Sequence, residues 1–410
     1  MRPDRCALDN MTVDARPIVS QPDTADRRKR PRDRKEQILW VAGALFLREG
    51  YHATSLGEVA AEVGISSTAI YRHFRSKHDL LVRVLFEGLE LVEDRLTTLS
   101  AEQRTVDGFV RTLTALALDR RGVPALWQRE VRNLGGADRG EVLRRLTRIV
   151  AALAALTRMA RPELRREDAE FLGWCALSVL GSPSHHSVRL PRAEFESLLV
   201  TSITAALATS PWPPEREPPP AVRPDPERGG RRERLIAVAT RLFHQRGYPA
   251  VGIEEIGVAA GITGPSVYHH FGGKAEILAA VLERGAEWTR HYTARSLAEG
   301  DTPAECLESL LGYYVAVTLE HPDLIGTLVS ESIHLPRAQA SRFRRVQRAG
   351  IEEWVRLLRE VRPLDADQAR VVVQAAIMMV NDVTRLASLR GRPHLAADLV
   401  AVGRAVLFPG

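Results

Sequence analysis

Apolar residues recur along most of the chain at intervals of three and four positions, the spacing of one buried helical stripe. Two clear stripes consist of Ile38, Val41, Leu45, Phe46 and of Leu235, Val238, Leu242, Phe243. Alternating strand patterns are absent, so we predict an all-α protein. Further helices are predicted over 104–119, 140–159, 166–182, 192–209, 303–320, 336–360, 365–389 and 394–408.

The chain contains an internal repeat. Residues 34–90 and 231–287 align without a gap at an offset of 197, and about 20 of the 57 positions are identical. Weaker similarity continues towards the end of each copy, which indicates duplication of a whole unit. The stretch 211–230 between the copies is dense in proline and charge and is predicted to be a linker with polyproline II character.

Each copy has the spacing of a helix-turn-helix. Ala60, Gly64 and Ile70 stand four and six residues apart in the first copy. A small first residue lets two helices cross closely, glycine accepts the positive φ of the turn, and the apolar third residue anchors the next helix. The second copy has Gly257, Gly261 and Val267 at the same positions.

The runs GISSTAIYRHFRSKHDLL and GITGPSVYHHFGGKAEIL resemble the TetR class of bacterial transcriptional regulators. The resemblance implies two all-α units, each with three DNA-binding helices followed by about six helices that form a ligand pocket and a dimerisation face. It also implies operator binding that a small molecule relieves. The predicted parts are a disordered basic arm (1–33), a DNA-binding domain (34–88), a regulatory domain (89–210), the linker (211–230), a second DNA-binding domain (231–285) and a second regulatory domain (286–410).

The presumed first recognition helix, from about Ser67 to Phe74, carries small donors at its start and larger donors beyond. Hydroxyls near a helix N-terminus suit phosphates or base edges, and an arginine can contact guanine bidentately. The predicted DNA-binding residues of the first copy are Thr54, Ser55, Ser66, Ser67, Thr68, Tyr71, Arg72, His73 and Lys77. Those of the second copy are Thr263, Gly264, Pro265, Ser266, Tyr268, His269, His270 and Lys274. The resemblance implies that four of these residues contact phosphates, namely Tyr71, Tyr268, Lys77 and Lys274.

Several of these side chains could instead have purely structural roles. His73 and His270 could cap or pack, and Tyr71 and Tyr268 could be core rings. The run RRKRPRDRK over 27–35 is either a solvated tail or an arm that lies along phosphate.

The copies differ where phosphate anchors are expected. Thr54-Ser55 corresponds to Val251-Gly252, and Arg72 corresponds to His269. We therefore predict that the first copy dominates DNA affinity, and that the second reads a different half-site or serves as support.

Candidates for a ligand pocket are aromatic residues of the regulatory helices, although core packing is the commoner role of such residues. They are Trp127, Phe171, Trp174, Tyr313, Tyr314 and Trp354. Asn381 and Asp382 interrupt an apolar face, as polar groups either of a pocket or of a helix-bundle interface. No cofactor or metal site is indicated, and no arrangement of residues suggests catalysis.

The net charge is +6, from 57 basic and 51 acidic residues, and 45% of residues are hydrophobic, a normal globular balance. With no apolar run long enough for a membrane span, we expect a soluble, cytoplasmic protein that is nucleoid-associated through DNA.

The sequence predicts a transcriptional regulator, most simply a repressor that a small-molecule effector releases from double-stranded operator DNA. The alternative is a ligand-blind DNA-binding scaffold with degenerate pockets. The two DNA-binding domains, which we call heads, differ in sequence but lie in one chain, and this favours an intrachain pseudo-dimer. The alternative arrangement is a homodimer of two chains with four heads.

Overall fold

The computed structural model describes residues 31–211 and 230–409, and every regular element in these ranges is a helix. The prediction of an all-α chain is therefore confirmed. The predicted arm up to residue 30 and the predicted linker between 212 and 229 lie outside the described residues. The chain divides into two compact units, of which one ends at Ala208 and the other begins at Thr209.

Within the described ranges each unit contains nine α-helices, in agreement with three DNA-binding helices and six more. In the first unit they are α1 (Pro31–Glu49), α2 (Leu56–Val63), α3 (Ser67–Ile70), α4 (Lys77–Thr97), α5 (Val106–Asp119), α6 (Gly122–Glu130), α7 (Gly136–Ala160), α8 (Arg166–Gly181) and α9 (Arg192–Ala208). In the second they are α10 (Arg231–Arg246), α11 (Ile253–Ala259), α12 (Gly264–Val267), α13 (Lys274–Glu299), α14 (Pro303–Glu320), α15 (Pro322–Glu331), α16 (Arg337–Val361), α17 (Ala366–Arg385) and α18 (Leu395–Leu407).

The eight helices predicted outside the repeated segments all coincide with observed helices, with ends that differ by no more than four residues. Helices α6 and α15 were not predicted. They are short, and each has a proline in its first turns, which resembles a turn signal as much as a helix start. Helix α1 begins at Pro31, three residues before the predicted start of the first domain.

The helix-turn-helix geometry follows from the predicted triplets. Ala60 and Ile70 are buried, and Gly64 ends α2 with a φ of 73°. In the second unit Gly261 has a φ of 74°. A Cβ atom on Gly257 would lie 2.9 Å from a methyl group of Val267, so α11 and α12 cross at a distance that only glycine permits there.

In the second unit one hydrophobic core joins the helices of the helix-turn-helix to later helices. Leu235 and Phe271 belong to the same buried cluster as Leu335, which lies just before α16, and Phe343, which lies within it. The helix-turn-helix is consequently fixed to these later helices by packing.

Candidate DNA interface

The first recognition segment, residues 66–74, lies on the protein surface over two buried anchors. Ile70 and Phe74 point into the core, with exposures of 0% and 2%. The side chains between and before them are exposed or, for Ala69, partly exposed. The structure thus brings together on one surface six of the predicted contacts, namely Ser66, Ser67, Thr68, Tyr71, Arg72 and His73.

The segment is less helical than the sequence predicted. Helix α3 ends at Ile70, and residues 71–73 continue as a turn in which the amide of His73 donates to the carbonyl of Ile70 at 2.8 Å. The Oγ atom of Ser66 accepts from the amide of Ala69 at 3.3 Å and caps the helix. Ser66 is therefore partly committed to the cap, whereas no such bond restrains Ser67 and Thr68 within the segment.

The second recognition segment, residues 263–271, repeats this arrangement with different chemistry. Tyr268 is 56% exposed, close to the 59% of Tyr71, so neither tyrosine is a core ring. Pro265 and His269 are exposed as well, and Thr263 and Ser266 are joined through their hydroxyls at 2.8 Å. His270 is partly exposed, whereas Val267 and Phe271, which flank the turn, are buried.

Gly264 is the exception in the second segment. It is buried, because a Cβ atom there would lie 3.0 Å from Cγ of Glu254. Without a side chain or exposure it has no group to present to a base, and its role is close packing of α11 against α12.

Glu254 is a residue that sequence reasoning missed. It is exposed, stands beside the start of α12, and corresponds to Gly57 in the first unit. A carboxylate there repels phosphate or accepts a hydrogen bond from cytosine N4. The gap-free alignment of the two copies already contained the signal, since it sets an acidic residue opposite a glycine.

Thr54 and Ser55, predicted together, have different positions. Ser55 caps α2: its Oγ accepts from the amide of Glu58 at 3.1 Å, and its own amide donates to the Glu58 carboxylate at 2.7 Å. Thr54 is only 2% exposed and donates to the carbonyl of Gly50 at 3.0 Å. The buried hydroxyl of Thr54 is directed into the protein, so the expectation of a phosphate contact does not fit its position.

Lys77 and Lys274 also point inward. The Nζ atom of Lys77 donates to the carbonyls of Tyr51 and Thr54, each at 2.9 Å, and lies 3.4 Å from that of His52. Lys274 donates to the carbonyls of Tyr248 and Val251 at 2.9 Å. Burial lowers the pKa of both lysines. Both ammonium groups therefore donate hydrogen bonds to main-chain carbonyls of the protein itself.

Two further cations lie beside the recognition segments. The ammonium of Lys35 is 5.9 Å from the ring centre of Phe74, and the guanidinium of Arg232 is 4.7 Å from that of Phe271. Both side chains are exposed. The first turns of α1 and α10 therefore bring positive charge to the surface on which the recognition segments lie.

Several of the aromatic candidates for a ligand pocket have their rings or polar groups engaged within the protein. Phe171 and Trp354 are buried core residues, and the indole of Trp127 donates to the carbonyl of Leu85 at 3.0 Å. A small apolar cavity in the first unit has about 10 Å³ of free space, and none of the six lines it. Its walls are formed by Val110, Leu113, Ile149, Val150, Leu153, Gly173, Ala176, Leu177, Leu180 and Ile203.

In the second unit the aromatic candidates separate into an inner and an outer group. The hydroxyl of Tyr314 donates to Asn381 at 2.8 Å, and burial raises the pKa of Tyr314 to about 12. Its ring meets that of Trp354 edge-on at 6.0 Å. Tyr313 instead stacks on Tyr292 at 5.2 Å. The amide of Asn381 consequently satisfies a buried phenol within the second unit.

Comparison with known proteins decides the family. The profile described as "Bacterial regulatory proteins, tetR family" matches residues 38–84 and again 235–281. The profile "Tetracyclin repressor-like, C-terminal domain" matches residues 103–209. This chain belongs to the TetR family. The two matched stretches contain both recognition segments, so the tandem arrangement of TetR units is shown as well.

HTH-type transcriptional regulators match parts of the chain. The transcriptional repressor BdcR of Escherichia coli is 32% identical over 108 residues, which are 26% of this chain and 55% of that protein. The activator FasR of Mycolicibacterium smegmatis is 44% identical over 57 residues, 14% of this chain and 26% of FasR. The chain thus spans about half or less of the length of these relatives.

Solved structures of TetR proteins match less than half of the chain. A TetR-family regulator from Bordetella parapertussis is 20% identical and covers 42% of this chain and 93% of its own, with a TM-score of 0.40. PfmR from Thermus thermophilus is 22% identical and covers 44% and 96%, with a TM-score of 0.39. None of the described helices is both long and apolar enough to cross a membrane.

Proposed function

We propose that the chain is a sequence-specific repressor that binds operator DNA through two unlike heads and releases it when a small molecule binds. The observation that carries the proposal is the pair of exposed recognition segments over buried anchors, 66–74 and 263–271. Exposed tyrosine, histidine and arginine beside a helix start are donors that suit phosphates and base edges. The relatives BdcR and FasR, named as repressor and activator, support a regulatory role. Such a protein acts in the cytoplasm, on the nucleoid.

The first head is proposed to dominate affinity. It presents Arg72, whose fork suits guanine, where the second presents His269. The second head also carries the exposed carboxylate of Glu254 beside its recognition helix. The loss of a cation and the placement of an anion beside the recognition helix both weaken attraction to phosphates.

An intrachain pseudo-dimer is the proposed arrangement of the two units. It is supported by the two matches to a TetR DNA-binding profile in one chain, over 38–84 and 235–281. Unlike heads related by an approximate two-fold axis predict an imperfect palindrome as operator.

The second candidate function is a DNA-binding scaffold that responds to no ligand. The observation that favours it is the burial of Phe171 and Trp354 in the core. A compound that raises the melting temperature of the protein and weakens operator binding would decide for the repressor.

Selection of bound duplexes from a random DNA library with the purified full-length chain tests the proposal. We expect two related but unequal half-sites. A single half-site would reduce the second head to a support, and a strict palindrome would indicate two chains that present the same head. Binding at low salt without enrichment of any sequence would favour the scaffold.

A further inference from the structure

The segment that joins the first two helices of each unit is held in the same unusual way in both copies. It begins with a glycine and a tyrosine, Gly50-Tyr51 and Gly247-Tyr248. The glycines have φ values of 88° and 83°, a region that other residues rarely adopt. We call each glycine–tyrosine pair the joint, because it sets the path from α1 to α2 and from α10 to α11.

A lysine from the DNA-binding side holds the carbonyl of each joint. Lys77 and Lys274, the first residues of α4 and α13, directly follow the recognition segments and their short turns. Each donates to the joint tyrosine carbonyl at 2.9 Å and to a second carbonyl three residues later. Each ammonium also lies over the tyrosine ring, 4.4 Å and 4.3 Å from its centre.

A glutamate from the regulatory side holds the amide of each joint. The amide of Tyr51 donates to Glu130 at 3.3 Å, and that of Tyr248 donates to Glu331 at 2.8 Å. These carboxylates are the last residues of α6 and α15 and are 2% and 0% exposed. The tyrosine of each joint is therefore held at both its amide and its carbonyl group, by residues from two different domains.

The surroundings of the two carboxylates differ although their function at the joint does not. Beside Glu130 stands Arg129, whose guanidinium binds Glu130 and the carbonyls of Phe46 and Leu47. Beside Glu331 stands Ser330, which donates to it at 2.6 Å. The two copies have thus changed what supports the carboxylate while keeping both the carboxylate and the lysine.

We propose that Glu130 with Lys77, and Glu331 with Lys274, are clamps that position each recognition segment relative to the regulatory domain, and that the two lysines are positioning residues rather than phosphate contacts. The inference rests on the proposed DNA-binding function. An ammonium has three N–H donors, and at Lys77 three carbonyl oxygens surround it. Its charge is used to fix the joint, so it displaces few counterions when DNA binds.

Salt dependence separates a positioning lysine from a phosphate contact. Each phosphate that a protein neutralises contributes about 0.9 to the slope of log affinity against log salt. For Lys77→Met on the selected operator we expect roughly ten-fold weaker binding, from the loss of charged hydrogen bonds, with an unchanged slope. The matched control is Lys35→Met, which removes an exposed ammonium of the same kind. A slope reduced by about 0.9 in Lys77→Met would overturn the inference.

Hydrogen exchange tests the clamp without DNA. In Glu331→Leu the Tyr248 amide should exchange at least ten-fold faster than in the wild type, whereas Glu331→Gln, which retains an acceptor oxygen, should keep most of the protection. Unchanged exchange in a folded Glu331→Leu protein would contradict the clamp. If the wild-type chain failed to bind DNA, the proposed function would fail, and the exchange result would still judge the clamp.

Discussion

At the scale of single residues, exposure distinguishes roles that sequence spacing leaves open. Tyr71 and Phe74 are both aromatic and three positions apart, yet one is 59% and the other 2% exposed. Likewise Ser55 is exposed at a helix start while its neighbour Thr54 is buried. Hydroxyl and aromatic side chains serve equally in cores and at interfaces, so only the fold decides between the two.

The exposed tyrosines provide the most direct test of the two heads. Tyr71→Ala and Tyr268→Ala are matched changes, since the side chains are 59% and 56% exposed and neither contributes to a core. We expect Tyr71→Ala to weaken operator binding by about 1–2 kcal/mol and Tyr268→Ala by less than half of that, as measured by titration at fixed salt. Melting temperatures should remain nearly unchanged in both. Equal losses of affinity would contradict the ranking of the heads.

At the scale of elements, the capping of the second helix differs between the units. Ser55 and Glu58 form a reciprocal capping box on α2. On α11 the equivalent of Ser55 is Gly252, so only the Glu255 carboxylate remains, which accepts from the amide of Gly252 at 2.8 Å. Ser55→Ala should therefore destabilise the first domain by about 1 kcal/mol, whereas Gly252→Ser should stabilise the second by a few tenths.

The caps also predict a response to acid. Backbone and side-chain hydrogen bonds from Ser55 lower the pKa of Glu58, and the amide of Gly252 does the same for Glu255. A carboxyl whose folded pKa lies below the unfolded value of 4.5 stabilises the fold above that pH, and the contribution is lost as the pH falls through the folded pKa. The difference in melting temperature between wild type and Glu58→Gln should thus be present at pH 6 and shrink towards pH 3. A difference that is constant with pH would exclude this origin.

The sequence predicted the long helices better than the short ones. Long amphipathic helices such as α7 and α14 have many apolar positions at regular spacing, so their ends were predicted within a few residues. The recognition helix α3 and the helices α6 and α15 have ten residues or fewer. Their form depends on contacts with distant residues, such as Glu130 with Tyr51, which no local pattern contains.

The residues of the candidate site could be predicted only where they lie next to buried anchors. Exposed contacts of the recognition segments, such as Arg72 and His269, follow from their place beside the buried anchors Ile70 and Val267. Lys77 could not be assigned in this way. Its partners are main-chain carbonyls 23 to 26 residues away, and main-chain groups have no sequence signature.

At the scale of the whole molecule, the stoichiometry on DNA distinguishes the two arrangements. If the two units form a pseudo-dimer, one chain of 45.5 kDa should occupy one operator, as measured by sedimentation or light scattering of the complex. The physical reason is that one chain then presents a head to each half-site. Two chains on a single two-half-site operator would indicate the arrangement with four heads.

The duplication within one polypeptide also bears on how the protein works at low copy number. Subunits of a conventional dimer separate when they are dilute, so that occupancy of DNA varies with the square of their concentration. Two covalently joined heads keep a fixed ratio and a high effective concentration towards each other. If both heads bind one operator, its occupancy rises with the first power of protein concentration. Each half-site would then also be free to diverge, because a substitution in one head leaves the other unaltered.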